Sequence, residues 1–287
     1  MKIQHVANIV GGQDGAIFGD ELFRFDHKGN GKAYDLRDLN PQEVCDLTPT
    51  ATFVLDRADV LVPHANAVCF GTERYEPGDF YPLLYSNVYN NYAKTEDPRM
   101  GVCCVYRLQK TEEGFQTKLV QLIEIGFCED ATLWKVSEQR HGVRPYGNFL
   151  VDRDTASYYA FVMRDEALGT RYFRFDLPSV HSGEWDSVLG VRRLVLTPAD
   201  IRAQFDCTYH HFVQGAACFQ GTIYSTEGFT NNVANPPAFR VITLATGEER
   251  YIDITALGCN EEPEMIDFYN DICYYSDACG KLYRIDF

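Results

Sequence analysis

Short runs of apolar and aromatic residues alternate with turn residues along the chain, and helix-type periodicity is scarce. Runs of this length, bounded by Gly, Pro, Asn and Asp, are typical of β-strands. One run recurs five times in similar form: KAYDL (32–36), CVYRL (104–108), YFRFDL (172–177), FRVITL (239–244) and LYRIDF (282–287). Five copies indicate five structural units.

Two further runs precede each copy in a fixed order. The nearer one is apolar and aromatic: ELFRF (21–25), PLLYSNVY (82–89), YYAFVM (158–163), GTIYSTEG (221–228) and DICYYSD (271–277). The earlier one opens with polar residues: QDGAIFG (13–19), HANAVCFG (64–71), RPYGNFLVD (144–152), QGAACFQ (214–220) and EPEMIDFYN (262–270). Repeats of this kind, none able to bury both faces alone, are typical of a ring of small sheets.

Four units continue into a fourth run: TATFVLD (50–56), TKLVQLIEIG (117–126), RRLVLTPADI (192–201) and ERYIDITAL (249–257). The fifth has none, and residues 2–10 can supply it. We therefore predict an all-β fold, a five-bladed β-propeller forming a single domain over residues 1–287, with the N-terminal strand joining the C-terminal blade to close the ring. Six blades and a β-sandwich remain alternatives. Thr197 and Asp200 also predict a short peripheral helix over 197–206.

Composition narrows the class of partner. A net charge of −15 opposes binding to nucleic acid or to an anionic membrane, so we expect neither as a partner. The first residues, MKIQHVANIV, lack the apolar stretch of a secretory signal, which predicts a soluble, cytoplasmic protein. The ten cysteines include no CxxC pair, and most lie in apolar runs, which favours reduced structural thiols.

The polar residues that open the first strands define the candidate site. In a propeller these strands line the central channel, so their leading side chains converge on one axial funnel. The expected ligand-binding residues are Gln13, Asp14, His64, Asn66, Arg144, Tyr146, Asn148, His211, Gln214, Glu262 and Glu264, with His141 and His210 close by. We expect a small polar ligand such as a saccharide, with Tyr146 packing against a sugar face. The identity of any cofactor stays open.

Whether the protein is an enzyme also stays open. Glycoside hydrolysis needs two carboxyl groups, and Glu262 and Glu264 share one strand face, so these two with His64 or His211 are the catalytic candidates. A metal held by both histidines and Glu264 or Asp14 has no local ligand motif, and we assign none.

Two other functions were weighed. A Cys207 nucleophile beside His210 is disfavoured, since no helix start lowers its pKa. An interaction scaffold using the loops at 72–81, 90–99 and 229–237 is the third candidate.

The phrases QDGAIFGDELFRF (13–25), PHANAVCFG (63–71), RPYGNFLVD (144–152), QGAACFQGTIYSTEGF (214–229) and EPEMIDFYNDICYYSD (262–277) resemble those of uncharacterised bacterial β-propeller proteins, many from gut anaerobes. The resemblance spans nearly the whole chain and implies the fold, with no reaction to transfer. A more distant similarity is to five-bladed arabinanase-like glycosidases. Those carry acidic residues on the inner strands of several blades, whereas blades two to four here open with His, Arg, Tyr and Gln, which disfavours a glycosidase of that kind.

Overall fold

Short strands joined by tight turns make up most of the chain. The computed structural model describes residues 1–40, 42–61, 63–65, 67–88, 102–127 and 149–287. The strands of the N-terminal part are β1 (Lys2–Asn8), β2 (Gly15–Phe18), β3 (Glu21–Phe25), β4 (Asn30–Asp35), β5 (Cys45–Asp46), β6 (Ala51–Val54), β7 (Val68–Phe70), β8 (Leu84–Asn87), β9 (Val102–Thr111) and β10 (Gly114–Ile125). Those of the C-terminal part are β11 (Phe149–Asp152), β12 (Ser157–Asp165), β13 (Gly169–Asp176), β14 (Glu184–Asp186), β15 (Val191–Leu196), β16 (Ala203–Cys207), β17 (Val213–Phe219), β18 (Thr222–Glu227), β19 (Ala238–Thr243), β20 (Glu248–Asp253), β21 (Pro263–Tyr269), β22 (Ile272–Asp277) and β23 (Lys281–Asp286).

These strands form five small sheets arranged as the blades of a ring. From the inside outwards, blade 1 is β2-β3-β4-β6, blade 2 is β7-β8-β9-β10, blade 3 is β11-β12-β13-β16, blade 4 is β17-β18-β19-β20 and blade 5 is β21-β22-β23-β1. The inner strands β2, β7, β11, β17 and β21 contact one another in that cyclic order, and β21 returns to β2. The predicted five-bladed β-propeller is confirmed.

Ring closure follows the predicted route. Strand β1 pairs antiparallel with β23, from Lys2 opposite Asp286 to Asn8 opposite Lys281. The short strand β5 then adds to β1 in parallel. Strands from the N-terminal and C-terminal parts of the chain therefore pair within one sheet.

The outer edges of blades 2 and 3 differ from the prediction. Residues 192–201 were expected to complete blade 3, but β15 pairs in parallel with β10 and extends blade 2, with β14 beyond it. An ion pair between Arg193 and Glu124 fixes this register, and Leu196 packs in the core between blades 2 and 3. An alternating apolar run fits any open sheet edge, so its sequence does not specify which blade it joins.

The outer strand of blade 3 is β16, which lies where a helix over 197–206 was predicted, so that prediction is wrong. The capping interaction between Thr197 and Asp200 was predicted correctly. The Thr197 amide and hydroxyl both donate to Asp200 Oδ2, at 2.8 Å each, but they begin a single 3-10 turn, Pro198–Asp200. Pairing with β13 satisfies the backbone of the following residues, and this outweighs their local helix signal.

The hydrophobic core of the described residues is divided into clusters that each fill the space between two neighbouring blades. Among the residues that the structure describes, the other regular elements are one helix of a single turn, α1 (Ala58–Leu61), and 3-10 turns at Leu36–Asp38 and Thr255–Leu257. Across the ranges that the structure describes, no helix has the length and apolar character needed to cross a membrane. Because the faces of each blade pack against the neighbouring blades, the axis is the place where the inner strands can present polar side chains.

Candidate functional site

The central channel is narrow where the inner strands end. Residues of β7, β17 and β21 line it together with Val151 and Arg153, and its free volume is about 10 Å³. That is room for about one water molecule. The opposite end of the channel, where the inner strands begin, we call the mouth.

Four of the predicted residues meet at the mouth, and we call Gln13, Gln214, Glu262 and Glu264 the axial cluster. The Gln13 side-chain amide donates to Glu264 Oε1 at 3.2 Å. The Gln214 amide donates to Glu262 Oε1, and also to the carbonyl oxygen of Gly228 at 3.4 Å. These hydrogen bonds form two pairs, one between blades 1 and 5 and one between blades 4 and 5, and the two pairs are linked by the charge of Glu262 acting on Glu264.

Two β-bulges set the direction of two side chains of the axial cluster. The register slips between Val213 and Gly215 in β17 and between Pro263 and Met265 in β21, so Gln214 and Glu264 are the extra residues. A bulged residue leaves the regular alternation, which re-aims its side chain, and bulges are common beside active sites. Gly215 permits the close approach of the two strands, because a Cβ there would lie 2.6 Å from the Glu264 carbonyl oxygen.

Glu264 is the most perturbed member of the axial cluster. Its side chain is 2% exposed, and Oε2 has no hydrogen-bond partner among the described residues. Burial raises the pKa of Glu264 to about 8, and the nearby charge of Glu262 adds to the shift. Burial also raises the pKa of Glu262. At neutral pH Glu264 is therefore mainly protonated, and its carboxyl group can donate a hydrogen bond or a proton.

Arg24 of β3 lies behind the axial cluster, and the sequence reasoning missed it. Its Nη2 donates to the carbonyl oxygens of Gly12 and Asp277, at 2.8 and 3.0 Å. Its Nε and Nη1 have no partner among the described residues. Burial lowers the pKa of Arg24, whereas the charge of Glu264 acts in the opposite direction. A charge inside the apolar strand ELFRF was the signal that could have identified it.

Asp14 ties blades 1 and 2 together. Its Oδ2 accepts the Val68 amide at 2.8 Å, and its Oδ1 accepts the Gly15 amide at 2.8 Å. Burial raises the pKa of Asp14 well above its usual range. Asp267 joins blades 5 and 1 in the same way, since its Oδ2 accepts the Ile17 amide at 2.7 Å. These carboxyl groups hold the ring at the level of the channel.

The histidines are distributed over different surroundings. His64 lies beside His27, with ring centroids 6.4 Å apart, and burial followed by the charge of His27 lowers the pKa of His64 to about 4. His211 packs edge-on against Tyr209 at 5.1 Å, and its amide donates to Glu227. His210 is fully buried. The candidates Asn66, Arg144, Tyr146 and Asn148, and also His141, lie outside the described residues.

An aromatic pair beside the axial cluster was also missed. The rings of Phe212 and Phe229 lie 4.4 Å apart, and Phe212 is 40% exposed. Phe212 directly precedes β17 and has a φ of +59°, a conformation that is unusual for a bulky side chain and often marks a functional site. The carbonyl oxygen of Gly228 accepts a hydrogen bond from Gln214, and Gly228 is next to Phe229, so the pair adjoins the mouth.

Potential metal ligands come together away from the axis. Within the described ranges, the set close enough to hold an ion is Cys207, His210 and Glu249. The set weighed from the sequence, His64 and His211 with Glu264 or Asp14, does not come together in this way. The axial cluster instead offers amides and carboxyl groups, which suit hydrogen bonding to a polar ligand or proton transfer.

Comparisons with known proteins were made for the whole chain. No protein-family model matches it, and a search of curated proteins finds no match. Among solved structures, the glutaminyl cyclase of Myxococcus xanthus aligns with a TM-score of 0.51 and 11% identity, covering 100% of this chain and 96% of that one. Sqt1 of Saccharomyces cerevisiae (TM-score 0.35, 9% identity, 92% and 54% coverage) and BamB of Moraxella catarrhalis (0.34, 8%, 100% and 62%) also align. At these identities the likeness concerns the fold, and this chain is structurally similar to β-propeller proteins.

Proposed function

We propose that the axial cluster binds a small, uncharged polar ligand such as a saccharide. The observation that carries the proposal is the buried carboxyl group of Glu264, whose Oε2 has no hydrogen-bond partner among the described residues. A buried polar atom left without a partner costs about 1–3 kcal/mol, so a ligand hydroxyl that bonds to it has a favourable place to lie. The narrow channel leaves little room for such a ligand, which supports a position at the mouth.

The chemistry of the axial cluster favours a ligand with hydroxyl groups. Glu264 has a pKa of about 8, raised by burial, so at neutral pH it presents an O–H donor beside its carbonyl oxygen. The amides of Gln13 and Gln214 add donors and acceptors. Hydroxyl groups both donate and accept, which matches this mixture. Anionic ligands are opposed by Glu262 and by the net charge of −15.

The aromatic pair of Phe212 and Phe229 supports a saccharide within that class. The apolar face of a sugar ring packs on an exposed aromatic ring while its hydroxyl groups bond to neighbouring polar side chains. Here the exposed ring of Phe212 is two residues from Gln214, which is part of the axial cluster.

Calorimetric titration with a panel of mono- and oligosaccharides tests the proposal. We expect one class to bind, with affinity at least tenfold lower in Gln214→Ala and Phe212→Ala, and lower above pH 8 as Glu264 ionises. Gln116→Ala is the matched control, because Gln116 lies on the outer part of blade 2. His64→Ala and His211→Ala test the two histidines. Binding that survives both Gln214→Ala and Phe212→Ala contradicts the proposed site.

An acid–base enzyme is the second candidate, and the raised pKa of Glu264 beside Glu262 favours it. Glu264 would act as the general acid and Glu262 as its partner, as in a glycoside hydrolase, with His64 and His211 as further candidates. The substrate panel should include glycosides and, because a glutaminyl cyclase shares the fold, peptides with N-terminal glutamine. Turnover should fall at least 100-fold in Glu264→Gln. Equal turnover in the wild type and in this variant excludes the role.

A further inference from the structure

A second polar group, separate from the axial cluster, lies between blades 3 and 4. Cys207 ends β16, His210 lies in the connection to β17, and Glu249 is on β20. Their ligand atoms all lie within 4.8 Å of one another. Cys207 Sγ and His210 Nε2 are 3.4 Å apart. Two ligands at zinc–sulfur and zinc–nitrogen bond lengths with a tetrahedral angle are about 3.6 Å apart, so the pair is already spaced for an ion.

Hydrogen bonds hold Glu249 in place. The Thr208 amide donates to Glu249 Oε2 at 3.0 Å, and the Thr208 hydroxyl donates to Oε1 at 2.5 Å. Arg240 Nη1 also donates to Oε1. Oε1 has thus used both lone pairs on protein donors, whereas Oε2 has accepted one hydrogen bond and retains a lone pair for a further partner.

His210 has the surroundings of a metal-binding histidine. Its ring packs against Phe161 and Tyr172, and its Nδ1 lies 3.6 Å from Glu227 Oε1 with no hydrogen-bond partner among the described residues. A histidine ligand usually has a carboxylate near its second nitrogen, and Glu227 lies on that side of His210, although 3.6 Å is longer than a hydrogen bond.

We propose that Cys207, His210 and Glu249 form a binding site for Zn²⁺, with the fourth position open to water. Sulfur, imidazole nitrogen and carboxylate oxygen together suit this ion. The charges also balance. One net negative charge remains when Arg240 is paired with both Glu227 and Glu249. A Zn²⁺ ion bound to a Cys207 thiolate adds one positive charge, which neutralises it. Binding displaces the thiol proton to solvent, with no change in oxidation state.

The site is independent of the proposed function at the axis. Cys207 and Glu249 are partly exposed, whereas His210 is buried, so an ion has access from the outer surface between the blades. Bound there, it would link the end of blade 3 to the outer strand of blade 4.

Metal binding by the full chain, freed of metal with a chelator, tests the proposal. Equilibrium dialysis should give about one Zn²⁺ per chain. The Co²⁺ complex should show a thiolate-to-cobalt band in the near ultraviolet. Cys207→Ser, which changes one atom, should weaken Zn²⁺ binding at least tenfold and remove that band. Cys279→Ser, at an exposed thiol, is the matched control and should change neither. Circular dichroism of the metal-free variants checks that both are folded.

Two results would overturn the proposal. The first is a folded wild type that binds no more Zn²⁺ than folded Cys207→Ser does. The second is a Co²⁺ complex that has no thiolate band, since the ion would then be bound elsewhere.

Discussion

Replacing Arg240 by methionine should destabilise the protein strongly, because Arg240 is the cation for two carboxylates. Its side chain is 3% exposed, and that of Glu227 is fully buried. Arg240 Nε and Nη2 donate to Glu227 at 2.6 and 3.1 Å, and Nη2 also donates to the Tyr209 carbonyl oxygen at 3.0 Å. Methionine keeps much of the apolar stem and removes all of these donors.

The expected loss follows from burial. Removing one partner of a buried pair leaves an uncompensated charge and costs about 3–5 kcal/mol. The matched control is Arg202→Met, since the ion pair of Arg202 with Asp176 is exposed on both sides (53% and 72%). An exposed pair of that kind contributes about 0–1 kcal/mol. Urea denaturation in metal-free buffer measures the free energy of unfolding of each variant.

Two further measurements identify the cause. Burial already raises the pKa of Glu227 in the folded protein, and loss of the cation raises it further. A carboxyl group with a raised folded pKa contributes stability below its unfolded pKa and loses it as the pH rises, so the deficit of Arg240→Met should be smaller at about pH 4.5 than at about pH 8. Adding Glu227→Gln should recover part of it. A deficit no larger than that of Arg202→Met, or one unaffected by Glu227→Gln, would refute the reasoning.

Three other predictions concern the axis and the histidines. Gly215→Ala should cost about 1–3 kcal/mol because its Cβ would lie 2.6 Å from the Glu264 carbonyl oxygen, whereas Gly78→Ala, with nothing within 4 Å, should stay within about 0.5 kcal/mol in the same urea assay. Burial raises the folded pKa of Glu264 to about 8, above its unfolded value, so the free energy of unfolding should fall as the pH rises from about 5 to 9. The fall should be smaller in Glu264→Gln, and an equal dependence of stability on pH in the two proteins would contradict this. Burial lowers the pKa of His64 to about 4, below its unfolded value, so its NMR signals should titrate near pH 4. Its contribution to stability should be lost as the pH falls from about 6.5. A titration midpoint near about 6.5 would contradict the lowered pKa.

Much of the fold was readable from the sequence because each blade repeats the same order of runs. The inner strands, their hairpin partners and the closing role of β1 follow from apolar runs and turn residues. The outer edge of blade 2 could not be predicted in this way. The position of β15 depends on an available sheet edge and on the ion pair of Arg193 with Glu124, and both are tertiary features. The short, polar strand β16 carries a weak signal of its own and depends on pairing with β13.

The candidate site was predictable in part for the same reason. Convergence of the inner strands brings Gln13 to Glu264 and Gln214 to Glu262, as position in the repeat suggests. Arg24 was missed because it lies on a second strand. The contact of His210 with Cys207 and Glu227 depends on how two blades pack, which spacing along the chain does not reveal.

The path of residues 177–202 limits how far the blades act as separate repeats. After β13 the chain leaves blade 3, adds β15 and β14 to blade 2, and returns to finish blade 3 with β16. Blade 3 cannot lose its outer strand, nor blade 2 its extension, without disturbing the segment that joins them. Hydrogen exchange should therefore find one cooperative opening unit made of both blades, so a sum of single-repeat stabilities with nearest-neighbour terms would not describe these two blades of the ring.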